Sequence, residues 1–69
     1  MKKTLPLAAM ERLMKNAGVH RVSEDAKVQL REVLEEIADD IAKNANNFAK
    51  HAGRTTVKGQ DIKLAAKQL

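Results

Sequence analysis

The chain has 69 residues, no cysteine, one aromatic residue and a formal net charge of +4. So short a chain forms one domain at most, and without disulfides or thiolate metal sites we expect a partner chain to complete its small core. A single phenylalanine leaves almost nothing for stacking nucleobases, and the two histidines have no metal-ligand spacing, so we expect neither a metal nor a cofactor.

Three helices are predicted, in the order short, long, short. The first spans about residues 6–17, with Pro6 in its first turn and Gly18 just past its end, where a left-handed conformation is favoured. Its apolar face repeats at helical spacing and contains Leu7, Met10, Leu13, Met14 and Ala17. The helix is therefore short and amphipathic.

The middle helix is predicted over about residues 23–52, with Ser23 as its N-cap and no proline or glycine before Gly53. At ~1.5 Å per residue it would be ~45 Å long, whereas a compact chain of this size has a diameter of roughly 28 Å. Its apolar stripe outruns what two short helices can cover, so a second chain must cover it. The predicted dimer core comprises Leu30, Val33, Leu34, Ile37, Ile41, Ala45 and Ile62.

The last helix, about residues 58–68, follows a loop in which Arg54 and Lys58 flank two threonines. Thr55, Thr56 and Val57 have β-branched side chains, which favour a brief extended stretch. The basic excess lies outside the long helix: residues 23–52 contain seven acidic and four basic side chains, a net of −3, and the rest contains nine basic and two acidic, a net of +7. One domain over residues 1–69 is predicted, with its positive charge at the ends and loops.

Three segments in this helical frame together resemble the archaeal histones: NAGVHRVSEDA at 16–26, LEEIADDIA at 34–42 and AKHAGRTTVKGQDIKLA at 49–65. The resemblance implies an all-α histone fold whose chains form a head-to-tail handshake dimer, with the first loop of each chain beside the second loop of the other. It also implies a homodimer that binds double-stranded DNA, adds further dimers to wrap it, and is associated with the chromosome in the cytoplasm. Paralogous histones are further possible partners.

In such a dimer the paired loops would form a phosphate-binding edge. Lysine and arginine neutralise phosphates and release counterions, and the first N–H groups of a helix donate to phosphate oxygens. By resemblance, Arg12 would enter the minor groove, its guanidinium held by Thr56 of the partner subunit. The expected DNA-binding residues are Arg12, Lys15, Arg21, Ser23, Arg54, Thr55, Thr56 and Lys58.

Some residues have two interpretations. By resemblance, Arg54 forms a structural salt bridge with Asp61, with proximity to DNA secondary. The resemblance also implies a dimer–dimer interface of Phe48, His51, Asp61 and Leu64, in which protonated His51 would bind a carboxylate and assembly would weaken as pH rises. Gly18 would also lie where stacked dimers come close. The acidic run Glu32, Glu35, Glu36, Asp39 and Asp40 is most simply a solvated helix face.

Several features depart from the commonest pattern of that family. Thr55 stands where many members have lysine, Glu11 adjoins Arg12, and the chain ends at Leu69 where others continue with basic residues. Each reduces positive charge, so the sequence predicts weaker, more salt-sensitive DNA binding than that of a fully basic relative.

Other functional classes are less compatible with the sequence. A histone-fold subunit that acts in a transcription complex through protein pairing is the alternative, although both loop motifs and the His51/Asp61 pair occur in this one chain. No catalytic triad, glycine-rich phosphate loop or pocketed carboxylate pair is present, so no enzyme is predicted. No run reaches the ~20 apolar residues of a membrane span, and no signal peptide is evident, so we expect a soluble intracellular protein.

Overall fold

The computed structural model describes residues 5–69 and contains three α-helices: α1 (Leu7–Asn16), α2 (Glu24–His51) and α3 (Gly59–Ala66). The described part of the chain contains no strand. Residues 1–4 of the predicted domain lie outside the described residues. Each helix begins and ends within two residues of its predicted boundary, and none of the three, within the described range, has the length and apolar composition needed to cross a membrane.

Pro6 lies just outside α1 rather than in its first turn. Its φ of −72° fits a helix, but its ψ of 142° is extended, so Pro6 is the N-cap and Leu7 is the first helical residue. The missing N–H of proline costs nothing at this position because the first N–H groups of a helix have no partner within it.

Glycine ends both α1 and α2 by the same backbone arrangement. Gly18 and Gly53 have positive φ values, 98° and 74°, and each donates its N–H to the carbonyl three residues back. The residue after each glycine then donates to the carbonyl five residues back: Val19 to Met14 at 3.0 Å, and Arg54 to Ala49 at 2.9 Å. This is the Schellman motif, and it turns the chain so that Arg54 directly follows α2.

Ser23 is the N-cap of α2, as the sequence indicates. Its Oγ accepts a hydrogen bond from the N–H of Ala26 at 3.0 Å, and Glu24 and Asp25 occupy the first turn. The hydroxyl satisfies one of the unpartnered donors at the helix start, and the two carboxylates complement its positive end.

We predict that Ser23→Ala lowers the free energy of unfolding by about 1 kcal/mol, because alanine cannot accept the bond from Ala26. The measurement is chemical denaturation at a fixed protein concentration. Ser23→Asn, which keeps an accepting oxygen, is the control and should retain most of the stability; equal losses in both variants would contradict the capping role.

The chain divides into two compact units, one up to Glu36 and one spanning Ile37–Leu69. In the first unit, Met10 is buried at 2% exposure and Glu35 at 8%, and a Glu35 carboxylate oxygen accepts the N–H of Leu5 at 3.3 Å. The prediction that the whole acidic run is solvated is therefore wrong for Glu35, because this carboxylate satisfies backbone at the start of the described chain. Glu32 is half-buried, and Glu36 is exposed.

In the second unit the buried residues are small apolar side chains and one carboxylate. Ala45, Ala49 and Ala65 are fully buried, and Asp61 is 2% exposed. Large apolar residues remain exposed in both units, namely Leu13, Val19, Val33, Val57, Ile62, Leu64 and Leu69. A single chain therefore leaves much of its apolar surface uncovered, the condition that favours association.

Candidate nucleic-acid interface

An ion pair closes the loop between α2 and α3. The guanidinium of Arg54 donates from Nη1 to Asp61 Oδ2 at 2.9 Å and from Nη2 to Asp61 Oδ1 at 3.0 Å. Nη1 also donates to the backbone carbonyl of Thr56 at 2.9 Å. A planar guanidinium facing both carboxylate oxygens fixes distance and orientation together, so this clamp, Arg54 with Asp61, sets the path of the loop.

Asp61 also holds the start of α3. Its Oδ2 accepts the N–H of Lys58, the residue before the helix, at 2.8 Å. The Arg54 guanidinium and then this backbone N–H lower the pKa of Asp61 from its usual 3.8 to about 2. The same pairing raises the pKa of Arg54. Asp61 is therefore ionised across the working pH range and is held in place by both ends of the loop.

Because of the clamp, some side chains of the loop between α2 and α3 are occupied within the chain and others are exposed to a DNA ligand. The Arg54 side chain is 23% exposed and already makes three hydrogen bonds, so its role is structural first. Thr55, Thr56 and Lys58 are exposed. Thr55 and Thr56 form a bend rather than the predicted extended stretch. The hydrogen bond from the Arg54 guanidinium to the Thr56 carbonyl favours the bent backbone.

The remaining predicted DNA-binding residues lie on α1 and in the loop that follows it. Arg12, Lys15 and Arg21 are exposed, as is Ser23, whose hydroxyl is occupied as the N-cap. No acid among residues 5–69 is within ion-pair distance of Arg12 or Arg21. These two guanidinium groups are therefore available to an external anion.

Lys15 belongs instead to an ion network in the first unit. Glu11 binds Lys15 through Oε2 at 3.3 Å and Lys27 through Oε1 at 3.1 Å, and Lys27 also binds Glu24 at 2.7 Å. Hydrogen bonds from Lys27 and Lys15 lower the pKa of Glu11. Bonds to Glu24 and Glu11 raise the pKa of Lys27. We call these four residues the Glu11 network; it links α1 to the first turn of α2.

The residues predicted for protein contacts differ in exposure. Leu30, Leu34, Ile37 and Ile41 are half-buried, while Val33 and Ile62 are 49% and 41% exposed. Ala45 is fully buried by its own chain, so its place in the dimer core stays a prediction that does not depend on cover from a partner.

In the predicted dimer–dimer interface, Phe48 is half-buried, and His51 and Leu64 are exposed. The Asp61 side chain is 3% exposed, with both oxygens occupied by its own loop, so a contact from His51 of another dimer has little carboxylate surface to reach. That contact stays a prediction, as does stacking at Gly18, where an added Cβ would meet nothing within 4 Å in the single chain.

Comparison with known proteins agrees with this arrangement of helices and loops. Residues 3–66 match the family model described as histone-like transcription factor (CBF/NF-Y) and archaeal histone. The chain is 54% identical over 63 residues to one of the subunits of archaeal histone HAN1 from Thermococcus zilligii, covering 91% of this chain and 94% of that one. The chain belongs to this histone family.

Further relatives extend the similarity. This histone is 51% identical over 61 residues to probable archaeal histone 3 of Methanocaldococcus jannaschii, covering 88% of this chain and 91% of the relative. It is 32% identical over 60 residues to the major histone H4 of Tetrahymena pyriformis, covering 87% of this chain and 58% of that protein. The all-α histone fold is thus confirmed, and a handshake dimer is consistent with it.

Two features of this histone were missed by sequence reasoning. The Glu11 network joins residues sixteen apart in the chain, Glu11 and Lys27, and only the i, i+4 spacing of Glu11 and Lys15 was visible in the sequence. The bond from the Leu5 N–H to Glu35 joins residues thirty apart and has no sequence signal.

Proposed function

We propose that this histone packages double-stranded DNA: a homodimer binds the duplex through phosphates and minor-groove arginines, bends it, and recruits further dimers along it. The identity of its relatives as archaeal histones supports a DNA-packaging role. The proposed role is structural and includes no reaction. The observation that carries it is the exposure of Arg12 and Arg21 with no described acid paired to either.

The proposed DNA-binding edge combines the two loops of different subunits. In a head-to-tail dimer, Arg21 of one chain would lie beside the loop that the Arg54–Asp61 clamp shapes in the other. Thr55, Thr56 and Lys58 are exposed in that loop and could contact phosphate, with Thr56 of the partner subunit supporting Arg12. The first N–H groups of α2, beside Arg21, would add donors to phosphate oxygens.

The proposed partner chain is a second copy of this histone. The uncovered Val33 and Ile62, together with the half-buried stripe of α2, provide the apolar surface for pairing. The alternative partner is a paralogous histone chain, because the Thermococcus relative is named as a subunit of archaeal histone HAN1. We place the assembly on the chromosome, in the cytoplasm.

Sequence preference should be weak. Phosphate contacts carry no base information, and arginines that enter a narrow minor groove read its width and the ease of bending the duplex. Preference among DNA sequences should therefore follow bendability.

Nuclease digestion of DNA saturated with the histone would show how the dimers assemble. Continuous stacking would give a ladder of protected fragments, and closed particles would give fragments of one size.

We predict that Arg21→Gln lowers DNA affinity roughly tenfold at moderate salt and reduces the slope of log K against log[salt] by about 2, one phosphate contact for each subunit of the dimer. Lys43→Gln is the matched control, because it removes the same charge from the exposed face of α2 and should leave the slope unchanged. Arg12→Gln should lower affinity at least as much.

The experiment also separates DNA packaging from a purely protein-pairing role. If the unmodified histone binds no duplex DNA at low salt, the alternative of a transcription-related pairing subunit is favoured. If it binds duplex DNA but Arg21→Gln and Lys43→Gln have equal effects on affinity and slope, the proposed edge is incorrect.

A further inference from the structure

We infer that Glu11 is an intramolecular competitor of DNA: its carboxylate occupies the Lys15 ammonium and repels incoming phosphate, so it limits the affinity of the DNA-binding edge. This inference rests on the proposed function and adds a residue that opposes binding. It concerns the Glu11 network, whose four charged groups sum to zero beside the helix face that bears Arg12.

The geometry distinguishes the two lysines of the network. Lys27 lies between Glu24 and Glu11, and its side chain is only 13% exposed, so it is not available to phosphate. The Lys15 side chain is 53% exposed and contacts only Glu11 among the described acids. Lys15 is therefore the lysine of the network that a DNA phosphate can reach. To bind that phosphate, Lys15 must break its ion pair with Glu11 or bind both anions at once.

Distance makes the competition effective. A phosphate that binds Lys15 comes close to the Glu11 oxygen already 3.3 Å from the Lys15 ammonium. The separation between the two anions would then be below the ~10 Å Debye length at ~0.1 M salt, so counterions would screen their repulsion only in part. Glu11 also precedes Lys15 by about one helical turn, which keeps the pair together on one face of α1.

Lys27 ensures that Glu11 stays in place and charged. The 3.1 Å bond to Lys27 anchors one carboxylate oxygen while the other binds Lys15, and since Glu24 at 2.7 Å already neutralises Lys27, Glu11 is not needed for that purpose. With its pKa lowered by Lys27 and Lys15, Glu11 remains ionised at any pH near neutrality. The opposition to phosphate is thus a constant property of the surface.

The test is a double-mutant cycle between Glu11 and Lys15, measured as affinity for a mixed-sequence duplex over a series of salt concentrations. Glu11→Gln should tighten binding roughly three- to tenfold at low salt and steepen the salt slope by up to about 2 for the dimer. Lys15→Gln should weaken binding more in the Glu11→Gln background than in the unmodified protein, because the freed lysine then contributes its whole phosphate contact.

Asp39→Asn is the matched control. Asp39 and Lys43 form another exposed i, i+4 pair, at 3.0 Å, on α2, so this change removes the same charge without touching Lys15. An equal gain in affinity from Asp39→Asn, or identical effects of Lys15→Gln in both backgrounds, would overturn the inference by showing that only net charge matters.

Lys27→Gln separates competition from a loosened α1. It breaks the same link between the helices, so tighter binding by Lys27→Gln would overturn the inference, whereas unchanged or weaker binding supports it. Circular dichroism of each variant checks that the helices persist. Failure of the proposed function itself would look different, because the unmodified protein would then bind no duplex and Arg21→Gln would change nothing.

Discussion

Replacing Ile62 by glutamate should separate the subunits and leave a largely unfolded chain at micromolar concentration. Ile62 is 41% exposed in the single chain, so the substitution would be tolerated if the chain functioned alone. If a partner covers Ile62, the carboxylate must lose its water in an apolar interface, which costs several kcal/mol. We expect the dimer dissociation constant to rise by more than roughly 100-fold, measured by sedimentation equilibrium.

Gln60→Glu is the control for this experiment. It introduces the same side chain into α3 at another exposed position, roughly 200° around the helix from Ile62. The control should remain dimeric and folded. Val33→Glu, at a position 49% exposed on α2, should reproduce the Ile62→Glu result from the other compact unit. A stable, folded dimer in both apolar-to-glutamate variants would show that neither position lies in the subunit interface.

Replacing Asp61 by asparagine should lower the thermal unfolding midpoint by roughly 10 °C or more, the second large effect we expect. Asparagine nearly preserves shape and can still accept the Lys58 N–H, but it leaves the 23%-exposed Arg54 without its charge partner. Asp39→Asn, in an exposed pair with Lys43, is the matched control and should change the midpoint little.

The pH dependence of stability tests whether the ionised Asp61 carboxylate is the cause of the stability that Asp61→Asn loses. Because the folded pKa of Asp61, about 2, lies below its usual 3.8, its contribution is fully present above about pH 4. It is lost as the pH falls from about 4 through about 2, where the folded carboxyl also becomes protonated. The Asp61→Asn variant should lack this portion of the acid dependence. Parallel acid profiles for the two proteins would contradict an ionic clamp.

Local sequence signals predicted the helices and their ends well. Ser23 and the glycines at 18 and 53 act through hydrogen bonds within five residues, so their roles are encoded in the neighbouring sequence. The bend at Thr55 and Thr56 was not predicted, because the prediction used only the preference of β-branched side chains for extended backbone. The hydrogen bond from the Arg54 guanidinium to the Thr56 carbonyl outweighs that preference.

Packing within a chain was harder to predict from the sequence. Ala45 continues the apolar repeat of α2 as a partner-facing residue would, and periodicity cannot tell which chain covers it. The sequence pattern assigns Glu35 to an acidic surface, yet its carboxylate accepts a hydrogen bond from the N–H of Leu5. Both depend on contacts between residues far apart in sequence.

The candidate DNA-binding edge was identified through the family resemblance rather than through spacing alone. The sequence pattern indicated the basic residues around the loops, and the resemblance supplied the pairing of Arg54 with Asp61, which the structure contains. It did not reveal that Lys15 is held by Glu11, a contact that depends on the side-chain conformations in the first unit. The opposing carboxylate was therefore identified from the structure and not from the resemblance.

The mass of the unmodified protein in solution tests the central claim most directly. Sedimentation equilibrium at micromolar concentration and moderate salt should give twice the chain mass of 7.6 kDa, with circular dichroism showing a helical protein. A helical, cooperatively folded species of single-chain mass would contradict the account, because the two loops of different subunits would then never meet to form the DNA-binding edge.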